Sequence, residues 1–322
     1  MTADTSRPVR SYFWSRDGRF ILFVQDKGGD ENFNVYAVNP ADKPATGSDV
    51  PAARNITDAK GIRAMIQAVP DSDPDAIYVG LNERDKAWHD LYKIKISTGE
   101  RTLISENKDR YQGMVFDNAD KLRLAMRAAQ NGDTEILKIG ADGKATKVYD
   151  CNAFETCGPV RFHKDNKRVY MQTNKGNLDL TELVLMDVET GTIEKVESDP
   201  LGKVDFGGAS FSDLSDEILA TSYNDDRPRI YFKNKEFEKA YNDIKKKLGD
   251  REVNFQSGTK DETKWIVVTN SDVDPGTVWL YDRKSRNLKT LYQVREKLDR
   301  NALSPMSCNR LLMLVRTLNP LS

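Results

Sequence analysis

The sequence predicts an all-β fold, a β-propeller of four-stranded blades, and two observations predict it. The first is a repeated sequence pattern. It consists of an aromatic residue, a polar turn rich in Asp or Lys, an apolar strand, and a second aliphatic-rich strand that ends in a hairpin turn. The second is spacing. Phe116, Phe162, Phe211 and Phe255 follow one another after 46, 49 and 44 residues, and Trp14 lies 102 residues before Phe116, which is two such steps. A fixed period of this size, built only of strands, is typical of propeller blades.

Six repeated units follow in order. The first occupies residues 9–58, with an apolar strand at 20–24 and a hairpin loop at 26–32 whose glycines can adopt positive φ. The other units place strands at 76–79, 90–96, 101–104, 122–126, 135–139, 169–172, 182–188, 217–221, 229–232, 264–268 and 278–282. Many of these runs are apolar throughout, which fits strands of stacked blades that are buried on both faces.

One segment breaks the strand pattern. Residues Lys235–Leu248 carry apolar side chains at positions 237, 241, 244 and 248, which share one face of a helix. Gly249 suits the residue after a helix, and the lysines at 245–247 suit its negative end. The sequence therefore predicts one short helix inserted in the fifth unit and packed on the outside of the ring.

Composition excludes several function classes. The 322 residues hold 49 Lys and Arg against 50 Asp and Glu, so the net charge of −1 gives no reason to expect nucleic acid or an anionic membrane as a partner. No apolar run approaches the ~20 residues that a membrane helix needs. Residues 1–8 contain no apolar segment of a signal peptide, so the cytoplasm is the default compartment and the periplasm would require a further N-terminal segment.

The cysteines and histidines are few. Cys151 and Cys157 are six residues apart in a predicted inter-blade loop, which leaves two alternatives, a disulfide or two ordinary thiols. His89 and His163 are the only histidines, too few for a structural zinc site. We expect no cofactor and no metal.

Catalytic motifs are missing. A serine hydrolase of the nucleophile-elbow type needs Gly-x-Ser-x-Gly, and the nearest string, at residues 207–212, lacks the trailing glycine. Residues 71–75 resemble the start of a calcium loop, but Ala76 and Asn82 stand where Gly and Glu are required, which favours a polar hairpin. No catalytic residue is therefore predicted.

The densest polar and aromatic cluster lies at residues 82–90. One interpretation is a hairpin loop in which Arg84 and Asp85 pair with neighbouring backbone groups. The other is a loop at the propeller channel or rim that contacts a peptide, since arginine forks and aromatic rings are common in such contacts. Asn82, Arg84 and Asp85 are candidate substrate-binding residues, and Glu31 in the first hairpin is a fourth.

Several strings together resemble the β-propeller domain of the prolyl oligopeptidase family of serine peptidases, in its dipeptidyl-aminopeptidase and acylaminoacyl-peptidase branch. They lie at residues 14–22, 24–26, 29–32, 80–85, 89–92 and 280–283. The resemblance implies a propeller over residues 9–298 that restricts access to short peptides and orients their N-terminal side. It also implies an α/β-hydrolase domain that carries the catalytic Ser, Asp and His. The expected partner is therefore a peptide substrate in the context of that domain.

The sequence also departs from the family pattern. Six units are visible where seven would be usual, so an incomplete ring is one expectation, with exposed blade edges that self-associate. Residues 299–322 read as a divergent tail, which suggests a truncated or frameshifted product that is inactive on its own. The alternative is a stand-alone propeller that scaffolds protein partners. A propeller hydrolase with its own channel site would need clustered histidines or carboxylates on the channel-lining strands, and the two histidines here are 74 residues apart.

Overall fold

The structure is a computed structural model that describes residues 2–58, 60–176 and 178–307. Within these ranges the chain forms six antiparallel sheets, in which strands consecutive in the sequence are neighbours. Each sheet is thus a meander, the blade of a β-propeller, and the predicted fold class is confirmed. The chain divides into two compact units, Met1–Glu197 with four blades and Ser198–Ser322 with two.

The first unit contains blades 1 to 4. Blade 1 consists of β1 (Ser11–Trp14), β2 (Ile21–Gln25), β3 (Asn34–Val38) and β4 (Arg54–Asn55). Blade 2 consists of β5 (Ala64–Ala68), β6 (Ala76–Asp85), β7 (Trp88–Lys95) and β8 (Arg101–Ser105). Blade 3 consists of β9 (Gly113–Phe116), β10 (Leu122–Ala128), β11 (Thr134–Ile139) and β12 (Ala145–Cys151). Blade 4 consists of β13 (Cys157–Phe162), β14 (Arg168–Thr173), β15 (Glu182–Asp187) and β16 (Ile193–Glu197).

The second unit contains blades 5 and 6. Blade 5 consists of β17 (Gly208–Phe211), β18 (Ile218–Asn224) and β19 (Pro228–Phe232), and the helix α1 (Lys235–Leu248) follows where the other blades have a fourth strand. Blade 6 consists of β20 (Glu252–Gly258), β21 (Lys264–Ser271), β22 (Asp274–Asp282) and β23 (Asn287–Gln293). A 3-10 helix, Arg300–Ala302, lies beyond the predicted boundary at 298, and Arg300 donates to Asp274 and to the carbonyl of Val294 in blade 6. The rest of the predicted tail, from 308 on, lies outside the described residues.

The predicted helix is confirmed with its bounds and its buried face. The Asn234 side chain caps it by accepting from the N–H groups of Glu236 and Phe237, and Gly249 ends it at a φ of 73°. Phe237 and Ile244 are buried, and the rest of the predicted apolar face packs against the same core. Because the helix has one apolar stripe, it covers blades 5 and 6 with a row of side chains rather than with a hydrogen-bonded edge.

The predicted apolar runs form the second and third strands of the blades, which are buried on both faces. Their side chains meet those of the next blade in three clusters. One joins blades 1 and 2, one joins blades 3 and 4, and one joins blades 5 and 6 with α1. First and fourth strands are more exposed, so each pair of blades is held mainly by its central strands.

The repeated polar turn connects the first strand to the second. In blade 1, the N–H of Gly18 donates to the carbonyl of Ser15, and Gly18 has a φ of 70°. The equivalent left-handed residues of blades 3 to 6 are Asp120, Asn166, Asp216 and Glu262, with φ from 50° to 59°. These turns begin at residues 15, 117, 163, 212 and 259. Phe255 is therefore out of register with the other leading aromatics, because Gly258 directly precedes the turn of blade 6.

Adjacent turns are tied by the left-handed residue. The Asp120 carboxylate accepts from the N–H of Ser72 at 2.8 Å, and the Asn166 amide oxygen accepts from the N–H of Asn118 at 2.9 Å. In the second unit, Glu262 accepts from the N–H of Asp213 at 2.9 Å. We call this contact the inter-blade tie. It gives the polar residues of the repeat a structural role, since the turns of blades 3, 4 and 6 are each bonded to the turn of the preceding blade.

The meander also fixes which loops share an end of a blade. Because neighbouring strands are antiparallel, the hairpin between second and third strands lies at the same end as the connection to the next blade. We call this end the connection end. The polar turns lie at the opposite end.

Candidate peptide-binding face

Glu31 lies in the β2–β3 hairpin, at the connection end of blade 1. Its backbone is left-handed, with a φ of 57°, and its N–H donates to Asp26 at 3.3 Å. Asp26 is itself fixed by Arg7, whose guanidinium donates to both carboxylate oxygens at 2.6 Å. The hydrogen bond from Arg7 holds the pKa of Asp26 below its usual value. The Glu31 carboxylate is exposed and makes no hydrogen bond or ion pair with any residue that the structure describes.

Asn82 lies at the same end of blade 2, in the last part of β6 before the β6–β7 hairpin turn. Its amide oxygen accepts from the N–H of Arg63 at 2.7 Å, and its amide nitrogen donates to the carbonyl of Lys86 at 3.0 Å. The residue is buried. Its side chain therefore closes the hairpin and connects it to the start of blade 2.

Arg84 and Asp85 are also bonded within this hairpin. Arg84 donates to both oxygens of Asp90, at 2.8 and 2.7 Å, and to the carbonyl of Asn107 at 3.2 Å. Burial would raise the pKa of Asp90, but the hydrogen bonds from Arg84 and from the N–H of Asn107 outweigh it and lower that pKa. Asp85 accepts from the N–H of Ala87 at 2.9 Å. These contacts favour the hairpin interpretation for Arg84 and Asp85, and they leave Glu31 as the candidate with an uncommitted charge.

A polar cavity of 290 Å³ lies beside Glu31. Asp30 and Asn32, its neighbours in sequence, line the cavity together with Lys27, Asn34, Asn55, Asp58, Lys60 and Gly61. The Lys86 ammonium donates to the carbonyl of Gly61 at 2.9 Å, so the β6–β7 hairpin contacts the connection between blades 1 and 2, which lines the same cavity. The site thus combines two lysines with three carboxylates, a balance that suits a ligand with charges of both signs.

The histidines do not form a catalytic pair with each other. His89 lies on β7, its buried Nε2 has no hydrogen-bond partner among the described residues, and burial lowers its pKa. His163 starts the turn of blade 4, where its Nδ1 lies 2.9 Å from Asp165. Within the described ranges, no group of three or more His, Cys, Asp or Glu side chains is arranged to hold a metal ion.

The sequence left a disulfide or two thiols open for Cys151 and Cys157, but it did not single out the loop between them, a second feature of the connection end. Cys151 and Cys157 are joined by a disulfide, and the loop they close, residues 151–157, presents Phe154 with 97% of its surface exposed. Glu155 fixes this disulfide loop by accepting from the N–H groups of Asn152 and Gly176, at 2.9 and 3.1 Å. The available signal was a lone phenylalanine between two cysteines.

No helix in the part of the chain that the structure describes is long and apolar enough to span a bilayer. Blades, tied turns and polar connection ends define the class of protein as a β-propeller.

Comparison with known proteins then gives the family. The chain is 31% identical over 311 residues to dipeptidyl aminopeptidase BIII from Pseudoxanthomonas mexicana, a match that covers 95% of this chain and 43% of that protein. It is 23% identical to dipeptidyl peptidase family member 6 from Caenorhabditis elegans, over 94% of this chain and 42% of that protein. No protein-family model matches. These matches confirm the predicted resemblance to the propeller of the prolyl oligopeptidase family. The chain spans less than half the length of these relatives.

A solved structure supports the fold alone. Prolyl oligopeptidase B from Galerina marginata has a TM-score of 0.58 at 15% identity, and the match covers 94% of this chain and 44% of that one. At this identity the likeness carries no information on substrate.

Proposed function

We propose that this chain is the substrate-recognition and gating propeller of a peptidase that acts on short peptides. The observation that carries the proposal is the uncommitted carboxylate of Glu31, whose two sequence neighbours, Asp30 and Asn32, line a polar cavity. In the whole protein, the propeller would admit short peptides to a hydrolase domain and orient their N-terminal side.

The charged groups around Glu31 are complementary to the charged ends of a short peptide. A free carboxylate accepts charge-assisted hydrogen bonds from an α-ammonium group. Lys27 and Lys60 line the adjoining cavity and carry the opposite charge, which suits the carboxylate of a very short peptide. Arg84 is already bonded to Asp90, so its role in the proposal is to hold the hairpin and not to contact substrate.

Calorimetric titration of the chain with alanyl-alanine and with its N-acetylated form tests the proposal. We expect the free dipeptide to bind and the acetylated one to bind about tenfold or more weakly, because acetylation removes the ammonium charge. Glu31→Gln should remove this preference. Glu100→Gln, an exposed glutamate in the β7–β8 turn at the opposite end of blade 2, is the matched control. Equal binding of both peptides, or equal effects of the two variants, would contradict the proposal.

The disulfide loop favours a second candidate function, a propeller that binds a protein partner. An exposed aromatic side chain on a rigid loop is suited to anchor an interface, because little conformational freedom is lost on binding. Under this alternative, Phe154→Ser abolishes binding of a partner purified from the native organism and Glu31→Gln leaves it unchanged. The opposite pattern would favour the peptide-recognition role.

A further inference from the structure

Two adjoining cavities lie in the second unit, between the first strands of blades 5 and 6. Their volumes are 230 and 160 Å³, and both are lined by Ser210, Phe237 and Phe255. A cavity of roughly 150 Å³ with apolar walls is enough to hold a benzene ring. The space therefore admits one aromatic side chain.

The walls are aromatic. The ring centroid of Phe255 lies 4.8 Å from that of Phe237 and 5.2 Å from that of Trp265, and the last two rings are nearly perpendicular. Phe237 and Trp265 are themselves 5.9 Å apart and again nearly perpendicular. Edge-to-face arrangements of this kind are the ones that aromatic rings prefer, so a fourth ring can extend the cluster.

The inserted helix positions Phe237 in the wall of the two cavities. Phe237 lies in the first turn of α1, directly after the Asn234 cap, and is 6% exposed. A fourth strand in blade 5 would lie at the edge of β19 and would not place a ring between the blades. The helix thus contributes part of the cavity wall.

The rim is polar and carries two acidic residues, Asp213 and Glu262. Ser210, Gln256 and Ser257 are exposed and uncharged at physiological pH. Glu262 accepts from the hydroxyl of Ser212 at 2.7 Å and from the N–H of Asp213 at 2.9 Å, so its carboxylate is engaged in the inter-blade tie. The aromatic part of the wall favours a neutral ring over a charged side chain.

The strands beside the cavity can also form backbone hydrogen bonds with a bound peptide. Among the strands of residues 2–307 that the structure describes, β17 pairs only with β18 and β20 only with β21, so each first strand keeps one edge without a sheet partner there. An extended peptide can bond to such an edge while every second side chain points to the same face.

We propose that this cavity is a subsite for the aromatic side chain of a peptide that lies extended along β17 or β20. The identification of the ligand as a peptide rests on the proposed function. The cavity lies in the second unit and Glu31 in the first, so separate variants and probes can test the two sites independently.

The wild-type chain is titrated with N-acetyl-phenylalanine amide, N-acetyl-leucine amide and N-acetyl-glycine amide, and tryptophan fluorescence is recorded because Trp265 lines the site. We expect saturable quenching by the phenylalanine amide, about tenfold weaker binding of the leucine amide, and no binding of the glycine amide. These probes carry no ammonium group, so Glu31→Gln should not change the result.

Cavity-filling variants localise the signal. Ser210→Phe fills both cavities and should abolish quenching, whereas Ser215→Phe, in the exposed turn after β17, should not. Thermal melting verifies folding, and Ser257→Phe fills the larger cavity from the other strand if Ser210→Phe is unfolded. No saturable binding, equal affinity for leucine and phenylalanine amides, or full binding by a folded filling variant would each overturn the proposal.

Discussion

The amide oxygen of Asn166 in blade 4 accepts a hydrogen bond from the backbone N–H of Asn118 in blade 3, at a distance of 2.9 Å. The side-chain amide of Asn118 in turn donates a hydrogen bond to the carbonyl of His163 at 3.0 Å. Asn166 can make this contact because its φ is 57°, a conformation that asparagine tolerates better than most residues. The polar residues of the repeated turn therefore form hydrogen bonds between neighbouring blades, in addition to shaping the turn itself.

Two substitutions separate the contributions of Asn166. Asn166→Gly keeps the left-handed backbone but removes the side-chain bonds to Asn118 and Asp117, and we expect a loss of about 1–2 kcal/mol in the free energy of unfolding. Asn166→Ala also strains the backbone and should cost about 1 kcal/mol more. Urea unfolding measures both. A glycine variant as stable as the wild type would show that the tie does not stabilise the chain.

Arg84 is predicted to stabilise the fold and not to contact substrate. The Asp90 side chain is 2% exposed, so Arg84→Ala leaves a nearly buried carboxylate without its main partner and should cost about 2–3 kcal/mol. Arg101→Ala, which breaks the more exposed pair with Glu83, should cost under about 1 kcal/mol. Urea unfolding compares the two. Unchanged stability of Arg84→Ala with lost peptide binding would instead assign Arg84 to the substrate.

Much of the fold follows from sequence, because strand period and helix period are local properties. The apolar runs of the second and third strands and the single face of α1 are visible without any tertiary information. The inter-blade tie could not be predicted. It joins residues such as Ser72 and Asp120 that are 48 positions apart, and their pairing depends on how neighbouring blades stack.

The candidate site shows the same limit. A cluster of polar residues at 82–90 was visible, but the sequence did not show that Asp90 holds Arg84 or that Asn82 spans its hairpin. Glu31 differs because no described residue pairs with it, and the absence of a partner is a property of three-dimensional packing. The aromatic cavity was missed because each of its rings was assigned to a separate strand or helix.

The disulfide can be tested by counting thiols and by stability. The denatured, unreduced chain should expose one of its three cysteines to a thiol reagent, and reduction should expose all three. A Cys151→Ala, Cys157→Ala double variant should lose about 2 kcal/mol, because the cross-link closes a short loop and removes little entropy from the unfolded chain. Three reactive thiols before reduction would contradict the pairing.

Asp199 should make stability depend on pH in the acid range. Hydrogen bonds from Arg229 lower the pKa of Asp199 well below the ordinary value near 3.9, so folding favours its charged form. This stabilisation is fully present above the unfolded pKa and is lost as the pH falls through the folded pKa. The gap in unfolding free energy between the wild type and Asp199→Asn should therefore be largest near neutral pH and shrink below about pH 4. Asp49→Asn, at an exposed loop position, is the control, and a gap that does not change with pH would refute the assignment.

We propose that the outer strands drive self-association. β8 exposes Leu103 and Ile104 and β23 exposes Leu291 and Tyr292, each between 43% and 49%. In the described part of the chain, each of these strands has one edge without a sheet partner. Exposed apolar edges pair with other chains unless a charge interrupts them. Sedimentation velocity should show association that increases with concentration and decreases in Ile104→Lys and Tyr292→Lys. Val160→Lys, at a similarly exposed position on a first strand, should not change it. A monodisperse monomer with one cooperative melting transition at every concentration would contradict the proposal.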